Sequence, residues 1–258
     1  MTHRIQVQNL SIVYPNGNQA LVNASLSLKS GTICGLIGMN GSGKSTLFKS
    51  IMGLLKPYSG EVRINEKPIQ EAQKQGVVAY VPQSEDVDWN FPVTVWDVVM
   101  MGRYGRMGWL RTPGRQDRES VEQALRRVNL LDFKDRQIGE LSGGQKKRVF
   151  VARALAQEAT VLLLDEPFSG VDATTEDLIT KLLKELKGQG HTILISTHHL
   201  ESIEKFCDEV ALIANQSVFA HGHTTQVFTP ENIAQVFGAQ HLLSRSMAAS
   251  APRMALGD

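Results

Sequence analysis

Two periods of apolar residues run along the chain. Val22, Ala24, Leu26 and Leu28 alternate with Asn23, Ser25, Ser27 and Lys29, the period-2 pattern of a strand with one buried face. Ile5 and Val7 begin the same pattern, and Pro15-Asn16-Gly17-Asn18 supplies turn residues between them. Residues 3 to 30 are therefore expected to be antiparallel strands. Val62 and Ile64 alternate in a further short strand. Other runs are mainly apolar and do not alternate: Thr32 to Ile37, Val77 to Val81, Val161 to Leu164 and Thr192 to Thr197. Such short runs predict buried strands. Val210 to Val218 reads as a hairpin around Asn215-Gln216.

The second period is helical. Val95, Val98 and Val99 share a face, and Val121, Leu125, Val128 and Leu131 recur at helical spacing. Gly102 to Gly114, with Trp109, reads as a loop or a short helix pair. Ser142 is placed to cap a helix running to about Gln157. Glu176 to Lys187 is amphipathic, with Leu178, Ile179, Leu182, Leu183 and Leu186 on one side. The helical patterns between about 84 and 155 read as a lobe inserted into an α/β core. The order of elements implies an α/β sandwich around a mainly parallel sheet. One domain is expected over 1–240, followed by a loosely ordered tail at 241–258.

Composition narrows the class. Of 258 residues, 42% are hydrophobic, so a core forms and disorder is not the default. Lys plus Arg is 27 and Asp plus Glu is 26, a formal net charge of +1, which argues against a broad nucleic-acid surface. Cys34 and Cys207 lack neighbours at metal-ligand spacing and read as buried free thiols of a reducing compartment. No apolar run approaches the roughly 18 residues that span a bilayer, and Met1 to Gln6 lacks a signal peptide's apolar stretch. A cytosolic protein is expected, any membrane link coming through a partner.

The chemistry concentrates in a few places. Gly38 to Ser45 fits G-x-x-x-x-G-K-[ST], the phosphate-binding loop of nucleotide triphosphatases, between an expected strand and an expected helix. Gly41 and Gly43 let the backbone turn its N–H groups toward an anion, and the following helix N-terminus adds partial positive charge. Lys44 reaches the outer phosphates and the Ser45 hydroxyl can ligate Mg²⁺. Asp165 and Glu166 close the run Val161 to Leu164, where α/β sheets bind ligands. Asp165 suits Mg²⁺ held through water, and Glu166 suits orienting and deprotonating an attacking water. Gln83, at a strand end, can touch the γ-phosphate. His198 and His199 follow another strand; neighbours there point to opposite faces and no zinc set completes them, so one of them contacting γ-phosphate is the better reading. Tyr14, beside the first turn, suits either stacking on adenine or covering a core edge.

Together with Leu141-Ser142-Gly143-Gly144-Gln145, these residues resemble the ATP-binding subunit of ABC transporters, over nearly the whole chain. The resemblance implies a phosphate-loop ATPase core with an antiparallel β subdomain and an inserted α-helical subdomain. It implies that Tyr14 stacks on adenine and that Gly38, Asn40, Gly41, Ser42, Gly43, Lys44, Ser45 and Thr46 hold the phosphates. Ser45, Gln83 and Asp165 would hold Mg²⁺, while Glu166, His198, Gln83 and Lys44 would serve hydrolysis. Ser142, Gly143, Gly144 and Gln145 would meet the ATP of a second copy in a head-to-tail dimer. Ser169 to Asp172 matches the family's D-loop. The implied partners are integral-membrane permease subunits and, indirectly, an extracytoplasmic metal-binding protein; nucleic acid is not among them.

The run Val87 to Val95, then Val98 to Arg103, looks like importers of manganese, zinc or chelated iron, most of all the manganese type. One departure is His199, where the family often has Asp; it puts the local D-loop and switch contacts in doubt and adds a titratable group. The competing class is a soluble ABC ATPase that remodels a macromolecule in DNA repair or translation. Those relatives usually carry two cassettes or a long coiled-coil insert, and this chain has one cassette and no heptad run.

Overall fold

The computed structural model describes residues 3–83, 91–198 and 200–238. The stretch 84–90, His199 and the tail at 241–258, all singled out above, lie outside the described residues. Strands β1 (His3–Val13) and β2 (Gln19–Lys29) pair antiparallel, with Val7 opposite Leu26. β3 (Ile33–Ile37) leads through the glycine loop into α1 (Lys44–Ile51). β4 (Ser59–Ile64) lies on the other edge of β1 and carries β5 (Lys67–Pro68), so this sheet runs β2-β1-β4-β5. A short helix α2 (Ile69–Lys74), with no counterpart in the sequence reading, precedes β6 (Val78–Val81).

The inserted lobe holds α3 (Val95–Met100), α4 (Arg115–Arg127) and α5 (Gly143–Ala156). The chain then returns through β7 (Val161–Asp165), α6 (Ala173–Gly188), β8 (Thr192–Ser196), α7 (Leu200–Phe206), β9 (Glu209–Ala214) and β10 (Ser217–His223). Two helices close the described chain, α8 (Thr224–Val227) and α9 (Pro230–Phe237). The second sheet runs β10-β9-β3-β8-β7-β6; all its pairs are parallel except β10 on β9.

Every residue of β3, β7 and β8 is buried, because the sheet is covered on both faces. The period of two sorts them. Ile37, Leu162, Leu164, Ile193 and Ile195 face the core shared with the helical lobe. Cys34, Leu36, Val161, Leu163 and Leu194 face the core shared with the antiparallel sheet. Both cysteines are buried free thiols, as their spacing implied, and burial raises the pKa of each, Cys207 to about 12. Register aligns Asp165 with Ser196 and Ser196 with Leu36, so three strand ends open at one level.

The helices of the lobe are tied to one another by a buried cation. Arg103, 3% exposed, bonds Asp117 at 2.9 Å, Glu158 at 3.0 Å and the Ala156 carbonyl at 2.8 Å. These contacts join the end of α3, the start of α4 and the end of α5. The Gly114 N–H, and then Arg103, hold the Asp117 carboxyl below its ordinary range.

Two expectations need correction, and one pair of alternatives resolves to the loop. The helical period Val121–Leu131 overruns its helix: α4 stops at Arg127, Asn129 turns to φ 55°, and Leu131 opens a separate 3-10 turn. The apolar spacing persists because Val128 and Leu130 still fill the core from outside the helix. Gly102–Gly114 is one 3-10 turn at 101–103 followed by turns and loop, not a helix pair. α6 starts at Ala173 rather than Glu176, since the Asp172 side chain caps it by accepting from the Thr175 N–H at 2.7 Å.

Candidate active site

The glycine loop is shaped by crowding. Gly43 has φ 109°, and a Cβ there would sit 2.8 Å from both the Ala20 carbonyl and Leu21. Only glycine fits that close approach at that φ. Lys44 at the start of α1 folds back over the loop, donating to the carbonyls of Gly38 at 2.8 Å and Met39 at 3.0 Å. Burial lowers its pKa, opposed by the Glu166 and Asp165 carboxylates. The Ser42 hydroxyl is buried without a partner among the described residues, an orphaned donor inside an anion cradle.

The acids sit across from the loop. Asp165 Oδ2 accepts from the Ser45 hydroxyl at 3.0 Å and from the Tyr80 hydroxyl at 3.3 Å; Oδ1 accepts from Ser196. Glu166 is 6% exposed and stands at φ 48°, fixed by its N–H donating to the Ser196 carbonyl (3.1 Å) and hydroxyl (3.0 Å). Its Oε2 accepts from Gln83 Nε2 at 2.9 Å and lies 3.2 Å from His198 Nδ1. A left-handed glutamate costs about 1–3 kcal/mol, a strain that functional sites tend to hold. Tyr14 and Thr46 close the other end, their hydroxyls 3.2 Å apart.

A cavity of about 400 Å³ joins these groups, lined by Tyr14, Asn40, Gly41, Gly43, Lys44, Ser45, Thr46, Gln83, Asp165 and Glu166. Most of the phosphate, acid and adenine-end residues named from sequence thus meet in one place. His198 reaches it through Glu166. Ser142, Gly143, Gly144 and Gln145 are not in its lining. They form the start of α5, where Ser142 Oγ accepts from the Gln145 N–H at 3.3 Å and the Gln145 side chain accepts from the Ser142 N–H at 2.9 Å. This reciprocal cap satisfies the helix end and leaves Ser142 and Gly143 exposed.

Sequence reading missed Ser196 and Tyr80, which hold Asp165, and Asn18, Gln19, Ala20 and Gln216, which line the cavity. The strand run through Ser196 carried a readable signal, a polar residue at a strand's carboxyl end. Nothing local marks Gln216, because only the packing of β10 against β2 brings it there.

The donors facing the cavity fit Mg²⁺: the Ser45 hydroxyl and the Asp165 carboxylate are hard oxygens side by side, the set a small divalent cation takes together with water and phosphate. Paired acids, a buried lysine and an anion cradle can bind a nucleoside triphosphate and activate water against it.

Comparison with known proteins agrees. Residues 21–169 match the family model described as ABC transporter. The chain is 60% identical to the chelated iron transport system membrane protein YfeB of Yersinia pestis over 90% of this chain and 78% of that one. It is 57% identical to the manganese transport system ATP-binding protein MntA of Synechocystis over 93% and 92%. Among solved structures, an inward-facing ABC transporter described as of metal-chelate type superposes with TM-score 0.81 at 30% identity, covering 91% of this chain and 89% of that one. The chain belongs to the ABC transporter family and is an ATPase of it.

Proposed function

We propose that this chain is the ATP-hydrolysing subunit of an importer for a divalent transition metal, manganese, working as a head-to-tail pair on the cytoplasmic face of the membrane. The observation that carries the reading is the single cavity in which Lys44, Ser45, Gln83, Asp165 and Glu166 converge. The loop N–H groups and Lys44 bind the phosphates, Lys44 exchanging two carbonyl partners for phosphate oxygens. Ser45, Asp165 and Gln83 would hold Mg²⁺, which supplies charge neutralisation between the outer phosphates. Glu166, with one oxygen already held by Gln83 and His198, orients a water and takes its proton. Ser142 and the start of α5 serve the second copy's ATP: an exposed, capped helix N-terminus suits a γ-phosphate that this chain does not itself present there.

No helix among the described residues is long and apolar enough to cross a membrane, so translocation belongs to permease subunits in this reading. Exposed Tyr104, Trp109 and Leu110 on the helical lobe support a docking face beside them. The relatives support a transition-metal cargo: one is named for manganese at 57% identity, one for chelated iron at 60% and one, TroB of Treponema pallidum, for zinc at 45%. The metal itself would cross in the permease, delivered by an extracytoplasmic binding protein. Reconstitution with the permease tests this. ATPase activity should rise most with manganese-loaded binding protein. Equal stimulation by zinc or iron, or none by any metal, would contradict the cargo.

A further inference from the structure

The cavity has a wall that the hydrolysis chemistry does not use. Beyond the phosphate loop it is formed by Asn18, Gln19 and Ala20 at the start of β2 and by Gln216. Gln216 is the second residue of a two-residue turn between β9 and β10, with Asn215 at φ 49° and Gln216 at φ 62°. A turn with both residues left-handed favours glycine at its second position. Strain alone does not mark the turn, since Asn65-Glu66 has the same geometry at 52° and 64° and is not in the lining of this cavity. What differs is attachment. The Gln216 carbonyl accepts from the Val22 N–H at 2.9 Å, bridging the two sheets. Ile213, three residues earlier, lies against the loop, 3.3 Å from where a Cβ of Gly43 would be. The turn is therefore held beside the phosphate loop, in the wall of the same cavity.

We infer that Gln216 recognises the ribose of the bound nucleotide. Its side-chain amide has no hydrogen-bond partner among the described residues and is half-buried in the cavity wall. An amide offers one acceptor and two donors, matching a vicinal diol: the carbonyl accepts from one hydroxyl while the NH₂ donates to the other. The base has a different surface available in the Tyr14 ring. The assignment rests on reading the cavity as an ATP site.

The test compares wild type, Gln216→Gly and Gln216→Asn in binding ATP, GTP and 2′,3′-dideoxy-ATP. Glycine and asparagine both suit a left-handed turn, so the fold is retained. Gln216→Gly should weaken ATP and GTP about 3–10-fold, the worth of one net hydrogen bond. It should leave 2′,3′-dideoxy-ATP unchanged, and Gln216→Asn should show the same selective loss. Equal weakening of ATP and the dideoxy analogue, or no weakening of ATP, would overturn the ribose contact. Loss for ATP but not GTP would move Gln216 to the base and also overturn it. Wild type that binds neither ATP nor GTP would sink the ATP-site reading instead.

Discussion

The two glycine-rich segments of this chain, Gly38–Ser45 and Leu141–Gln145, precede helices of the same kind and end up in opposite environments. At the first, the chain surrounds the segment. Lys44 is buried against two carbonyls, the exposed Ser45 donates to Asp165, and Gly43 packs against β2. At the second, Ser142 and Gln145 cap only each other, and Ser142 and Gly143 face outward. Both helix ends can attract an anion. Only the first has acids and a cation arranged for chemistry on it. In the proposed reading, one chain therefore carries a catalytic half-site and, elsewhere, an exposed helix start left for a second copy's ATP.

The largest expected effect breaks the first half alone. Glu166→Gln should keep ATP binding and lose about 10²–10⁴-fold in kcat, the range for a general base. Near-normal turnover would remove Glu166 from that role. Next, Lys44→Ala should raise the Kd for ATP about 10–100-fold, as loss of charge-assisted bonds worth about 1.5–3 kcal/mol implies. Titration calorimetry reads it, and an unchanged Kd would mean that Lys44 stays on the Gly38 and Met39 carbonyls when nucleotide binds.

The smallest effect lies away from both segments. Burial lowers the pKa of His191 against the pull of the Leu186 carbonyl, and Arg127 and Arg4 add to the lowering. A depressed histidine contributes stability that is present above its unfolded value, about 6.5, and is lost as pH falls through the folded one. Melting temperature should therefore fall from about pH 7 downward, and His191→Gln should flatten that fall by a few degrees. ATP affinity should not change with this substitution; if it does, the core and lobe are not separable from the site.

The strands were legible because apolar runs and alternation are local signals, as in Val161–Leu164 and Val22–Leu28. Phosphate-loop and acid residues were legible because Gly, Lys and carboxylates at fixed spacing have few other uses. Helix ends were less so: Asp172 capping α6 and the left-handed Asn129 after α4 follow from side-chain geometry that spacing does not express. Gln216 was not legible as a site residue, and Ser196 was legible only as a polar strand end. One needs the packing of the hairpin on β2 and the other the register of β7 on β8.

The direct test of a half-site completed by a second copy is the mass and nucleotide content of Glu166→Gln protein in ATP, with and without Ser142→Arg. Glu166→Gln should become a dimer holding one ATP per chain. Adding Ser142→Arg should leave ATP bound to a monomer. ATP held by monomeric Glu166→Gln, or a dimer indifferent to Ser142→Arg, would contradict the account.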